Sequence, residues 1–102
     1  MLGNDRLYLA VVALATEQGD VRKRVVLAMN IIEPLGQNEF KQNSKLWIRL
    51  ERLKKATSKI GPLIVNGRFI KDAYTTTADS KNNSTYKKFA KEIFSIWLET
   101  CH

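Results

Sequence analysis

The stretch Ser84–Thr100, STYKKFAKEIFSIWLET, reads as one amphipathic helix, and it decides what the rest of the chain must be. At 100° per residue, Phe89, Ile93, Tyr86, Trp97, Ala90, Cys101, Phe94 and Ile96 fill one continuous sector, while Lys87, Lys91, Ser95, Lys88, Glu99 and Glu92 fill the remainder. Leu98 alone is out of place. An apolar face this wide has to lie against other elements, and four of the nine aromatic residues sit on it, so this helix is expected to close the core.

Working back from it, Asp72–Asn83 (DAYTTTADSKNN) is polar and rich in Thr, Ser and Asn, and is predicted to be a mobile connecting loop. Before the loop, Pro62-Leu63-Ile64-Val65, Asn66-Gly67 and Arg68-Phe69-Ile70 place an Asn-Gly pair between two apolar runs. That is the strongest local hairpin signal, because both central residues of a type I′ turn need positive φ. The turn would pair Val65 with Arg68, Ile64 with Phe69 and Leu63 with Ile70. Both faces would then be apolar, so the segment of residues 62–71 is expected to be either a sandwiched hairpin or a packed irregular loop.

Further upstream, Asn43 or Ser44 can cap a helix to about Ala56 whose buried face is Leu46, Leu50, Leu53 and Thr57, with Trp47 at its edge. Gln37–Gln42 reads as a connection with room for one helical turn. Asp20 is a good N-cap for a helix bearing Val21, Val25, Ala28, Ile32 and Leu35, stopped by Glu33-Pro34 and Gly36. A first helix from about Asp5 to Gln18, capped by Asn4 or Asp5 and ended by Gly19, is apolar almost all round and is expected to be central. The fold class is therefore mainly α: a four-helix single domain over residues 1–102, with a small β-hairpin between the third and fourth helices. At 102 residues and 11.7 kDa such a chain can bury roughly 65% of its surface, so it needs neither disulfide nor metal to hold a core.

The chemistry-bearing residues are few. One cysteine, Cys101, and one histidine, His102, stand together at the end of the sequence, so no Ser-His-Asp, Cys-His or four-ligand zinc arrangement can be assembled from them elsewhere. There is no phosphate-binding glycine loop or dinucleotide fingerprint, and the ten acidic residues are scattered. An enzyme is not expected, nor a catalytic residue, a cofactor or a metal. The run Leu7–Ala15 (LYLAVVALA) looks like a short signal core, but Asp5 cancels Arg6 ahead of it, and nine residues cannot span a bilayer. A free thiol fits a reducing compartment, so the expectation is a cytoplasmic protein with no membrane partner.

Charge is the informative property. Seventeen Lys and Arg against ten Asp and Glu give +7, and residues 41–59 hold seven cations against Glu51 alone, which is +6 of that total. Lys41, Lys45, Arg49, Arg52, Lys55 and Lys59 fall within roughly 120° of one another on a helical wheel, opposite the leucine face. Such a stripe can follow a phosphate backbone, each contact releasing condensed counterions; the plainer reading is a solvated helix face. Arg22, Lys23 and Arg24 occupy the first turn of the second helix, where cations oppose the helix dipole. Either acidic neighbours offset this or the site holds an anion. The order helix, helix, basic helix, hairpin with Arg68 at its turn resembles a winged-helix DNA reader in order alone. Eight to ten residues separate Leu35 from Ser44, where a helix-turn-helix uses three or four.

The residues expected to carry function are thus Lys45, Arg49, Arg52 and Lys55, with Arg22, Lys23, Arg24 and Arg68, meeting nucleic-acid phosphates. The alternative is a protein-interaction module or homodimer, with an acidic protein on the basic face and the apolar surplus of the hairpin, Ile48 and Leu98 supplying a self-associating patch.

Overall fold

The computed structural model describes residues 3–40 and 44–100. Helix α1 (Gly3–Thr16) is followed by α2 (Val21–Ile32), a 3-10 turn (Gln37–Phe40), α3 (Ser44–Thr57), strands β1 (Leu63–Val65) and β2 (Arg68–Lys71), α4 (Ala73–Asp79) and α5 (Asn83–Thr100). The chain is mainly helical, with five α-helices rather than four among the described residues.

The additional helix, α4, replaces the expected mobile loop. Its sequence is polar, but Asp72 caps it: the carboxylate accepts from the Thr75 amide at 2.7 Å, and Thr76 Oγ1 donates to the Asp72 carbonyl. Tyr74, Thr77 and Ala78 then turn inward and are buried. A stretch of β-branched and polar residues becomes a helix because a cap and three inward side chains compensate for weak propensity.

The stripes of α2 and α3 are buried as their spacing requires. Val21, Val25, Ala28, Ile32 and Leu35 lie in one contiguous core with Leu46, Leu50, Leu53, Tyr86, Ile93 and Ile96, and Phe40 of the 3-10 turn joins them. Asp20 is the N-cap of α2 as expected, and α2 ends at Ile32, just before Glu33-Pro34. Helix α1 begins at Gly3, ahead of the expected caps, and stops at Thr16, with Gly19 in the left-handed region at φ 111°. It is not central. Leu7, Ala10 and Ala13 form its buried seam against α2 and α5, while Tyr8 and Leu9 face outward. In α5, Phe94 is exposed together with Leu98, because neighbours cover a narrower sector than the wheel allows.

The hairpin forms, with Asn66 at φ 52° and Gly67 at φ 76°, the positive values a type I′ turn demands. Val65 pairs with Arg68 and Ile64 with Phe69, but Leu63 pairs with Lys71, not Ile70, because the register slips at a bulge between Leu63 and Ile64. The ribbon is neither sandwiched nor a packed loop. Every residue from Gly61 to Ile70 is exposed, and no helix packs substantially against it. Its anchor lies behind it, where Thr77 Oγ1 accepts from the Ile60 amide and donates to the Ile60 carbonyl.

Two tyrosines belong to the packing. The Tyr74 hydroxyl donates to the Glu33 carboxylate, and burial followed by this bond pushes its pKa well up from 10.0. Tyr86 is fully buried, its ring edge-on to Phe89, and burial pushes its hydroxyl up to about 12. A pKa raised in the folded state gives stability that is complete below the unfolded value of 10.0 and is lost as pH rises through the folded one. Thermal stability should therefore fall steadily between pH 10 and about 12, and ultraviolet titration should show both hydroxyls ionising late or together with unfolding. Asp72→Ala should cost about 1 kcal/mol in chemical denaturation and loosen the α4 segment selectively in hydrogen exchange.

Candidate functional site

The cations at the start of α2 are largely absorbed by the fold. The Asp20 carboxylate accepts from the Lys23 amide and from Arg22 Nη2, each at 3.1 Å, and these contacts hold its pKa below the usual value. Arg22 Nη1 donates to the Lys81 carbonyl at 3.1 Å, and Arg24 Nη1 reaches the Leu14 carbonyl in the last turn of α1 at 2.9 Å. A guanidinium ill-placed for its own helix thus serves the negative end of a neighbouring one. Arg22 Nε and Arg24 Nε are buried with no hydrogen-bond partner among the described residues, and Lys23 extends into solvent.

The basic stripe of the third helix is divided. Lys41 lies outside the described residues, and Lys59 follows the end of α3. Arg49, at the stripe's centre, turns onto α5: Nε donates to Glu92 at 2.8 Å, Nη2 to Ser95 Oγ at 2.9 Å, and Nη1 lies 3.4 Å from Glu99. Lys55 is 3.6 Å from Glu51 one turn back. Lys54 donates to the Glu33 and Leu35 carbonyls and sits over the Trp47 ring; desolvation lowers its pKa despite nearby carboxylates. Lys45, Arg52 and Lys59 are exposed, and no ion pair holds them among the described residues.

Between α3 and α5 runs a groove of about 490 Å³ lined by Arg49, Arg52, Leu53, Ala56, Lys88, Phe89 and Glu92. Its polar ends differ in kind. Arg49 and Glu92 are joined to each other, whereas Arg52 and Lys88, from opposite walls, have no ionic partner among the described residues. Leu53, Ala56 and the half-buried Phe89 supply apolar lining between them. Lys88 was not among the residues the sequence singled out. Its signal was Lys87, Lys88 and Lys91 crowding the first half of a helix with no acidic residue before Glu92, although unlike Arg22–Arg24 they stand beyond the first turn, where the helix dipole has little effect. Arg22 reaches the Lys81 carbonyl just ahead of α5 and Arg24 reaches α1, and none of Arg22, Lys23 and Arg24 lines the groove with Arg52.

Arg68 stands exposed at the start of β2, beyond the groove lining. Cys101 and His102 lie outside the described residues. Among the described residues, no group of three His, Cys, Asp or Glu side chains is placed to hold a metal ion, and no helix is long and apolar enough to cross a membrane. No protein-family model matches the chain, and neither a curated protein nor a solved structure does.

Arg49 and Arg52 sit one turn apart and should behave differently on substitution. Arg49→Ala removes the tie between α3 and α5 and should cost about 1 kcal/mol in urea denaturation, since its pairs are partly solvated. Arg52→Ala should change stability by no more than about 0.5 kcal/mol.

Proposed function

We propose that this protein is a non-enzymatic binding protein that meets the phosphates of a single-stranded nucleic acid along the α3–α5 groove. The observation that carries this reading is the pair Arg52 and Lys88, cations with no ionic partner among the described residues, on opposite walls of one groove with an apolar lining between them. Lys55 and Lys59 continue the positive potential on one side, and Lys87 and Lys91 on the other. A backbone laid along the walls would release counterions from these groups, while a base entering the groove would meet Phe89 and Leu53. Arg49, committed to Glu92 and Glu99, positions the helices and makes no phosphate contact. A protein-contact role is favoured by a different observation, the uncovered apolar ribbon.

Anisotropy with labelled single strands and duplexes, read from about 50 to 200 mM salt, tests the proposal. Binding of single strands should weaken by roughly 100-fold over that range, as expected for about five phosphate contacts. The double substitution Arg52→Ala with Lys88→Ala should flatten the logarithmic slope by about 1.4 while leaving the helical signal unchanged. Absence of binding at about 50 mM salt, or a slope unaffected by the double substitution, refutes it.

A further inference from the structure

We infer that the α3–α5 groove reads one base of the bound strand, and that Glu92 makes it select guanine. This rests on the groove being the nucleic-acid surface proposed above. Glu92 is the one carboxylate in a lining of cations and apolar side chains. Arg49 engages only one of its oxygens: Oε1 accepts from Nε at 2.8 Å and from Nη2 at 2.5 Å. Oε2 makes no hydrogen bond among the described residues, and the side chain is 40% exposed. The guanidinium thus holds the carboxylate in place and leaves one oxygen free to accept.

Helical spacing sets this acceptor beside a ring and a cation. Lys88 and Phe89 stand four and three residues before Glu92, so the three share one side of α5 and follow one another along the groove wall. A nucleotide carries complementary groups in the same order: phosphate, base face, base edge. Lys88 and Arg52 meet the phosphate, the half-buried Phe89 meets the face, and Glu92 meets the edge. At about 490 Å³ the groove has the volume of a small-molecule pocket, so it takes a single nucleotide and not a stacked run.

The chemistry of the carboxylate then chooses the base. An ionised glutamate accepts hydrogen bonds and donates none. Guanine carries two adjacent donors, N1–H and N2–H, on its Watson–Crick edge. Cytosine and adenine carry one amino group beside an unprotonated ring nitrogen, whose lone pair faces the carboxylate unfavourably. Thymine and uracil carry a single N–H between two carbonyl oxygens. Guanine is therefore the best complement and thymine the poorest. Because Glu92 is partly solvated, the preference falls at the low end for such contacts, about tenfold.

Anisotropy with labelled DNA strands of about 10 residues tests this, comparing an all-thymine strand with strands in which guanine, adenine or cytosine replaces every third thymine. Spacing the guanines keeps the strand single. The guanine strand should bind about tenfold more tightly than the thymine strand, with the other two between them. Their salt slopes should agree, because the number of phosphates is the same. The ratio of the guanine and thymine affinities is the readout, so a change common to both strands cancels. Glu92→Gln keeps an oxygen for Arg49 but replaces the free acceptor by an amide, and should reduce the ratio to below about twofold. Glu99→Gln also touches the Arg49 network but lies outside the groove lining, and should leave the ratio near its original value. Equal affinities for the guanine and thymine strands, with salt-dependent binding retained, overturn the inference and leave the phosphate-binding groove standing. A guanine preference that survives Glu92→Gln overturns it too, and absence of binding to every strand overturns both readings.

Discussion

Helices α1 and α2 exchange cations. Arg24 of α2 donates to the Leu14 carbonyl near the end of α1, and Arg6 of α1 donates to the Ile31 carbonyl near the end of α2. Neither helix has a basic residue in its own last turn, so each leaves its negative end to be satisfied by its neighbour. The exchange fixes the pair antiparallel and in register, and the pair is the platform on which α5 lays its apolar stripe. Lys54 repeats the device from α3, reaching the carbonyls of Glu33 and Leu35 beyond the end of α2. Three cations that a helical wheel would assign to solvent thereby become connectors between helices.

That use of charge changes what the net charge means. Among the described residues, cations without an anionic or carbonyl partner stand along α3 and the first half of α5, and acidic residues on α5 appear only from Glu92 onward. Arg49 draws Glu92 and Glu99 to itself, so the carboxylates of α5 face Arg49 and not the lysines of its first half. The same guanidinium that closes the helix interface thus polarises the groove, with a paired end at Arg49–Glu92 and, at Arg52 and Lys88, an end with no ion pair among the described residues. One ion-pair network shapes both the packing and the potential.

Much of this architecture was legible in the sequence, and what was not has physical reasons. The stripes of α2 and α3 could be read because burial repeats with the helical period, and the hairpin turn because only residues tolerating positive φ fit there. Helix α4 was hidden because its stability comes from a cap and from burial of Tyr74 and Thr77, neither of which shows as an apolar period. Arg49 and Arg52 are nearly equivalent on a wheel, and only the position of α5 separates the residue that is paired from the one that is free. For Lys88 the signal was the clustering of Lys87, Lys88 and Lys91 with no acidic residue on α5 before Glu92. The open question about the ribbon, covered or packed, had a third answer that periodicity cannot express: it is uncovered within one chain.

The composition of that ribbon is not something the fold requires. Thr in place of Ile64 would keep the β-branched geometry, and Tyr in place of Phe69 would keep the aromatic cross-strand contact, while both would be better solvated. The helical core is complete without either side chain, since neither belongs to the buried cluster. The anchor at Ile60 and Thr77 lies behind the strands and is likewise indifferent to what they display. Hydrophobic side chains held in water on a short, twisted, singly anchored ribbon weaken nothing in the core when replaced. Lys88 is likewise idle in the packing: it is exposed in the second turn of α5, and no ion pair holds it among the described residues. Where a side chain is idle in the packing, the stability of the fold sets no constraint on its identity.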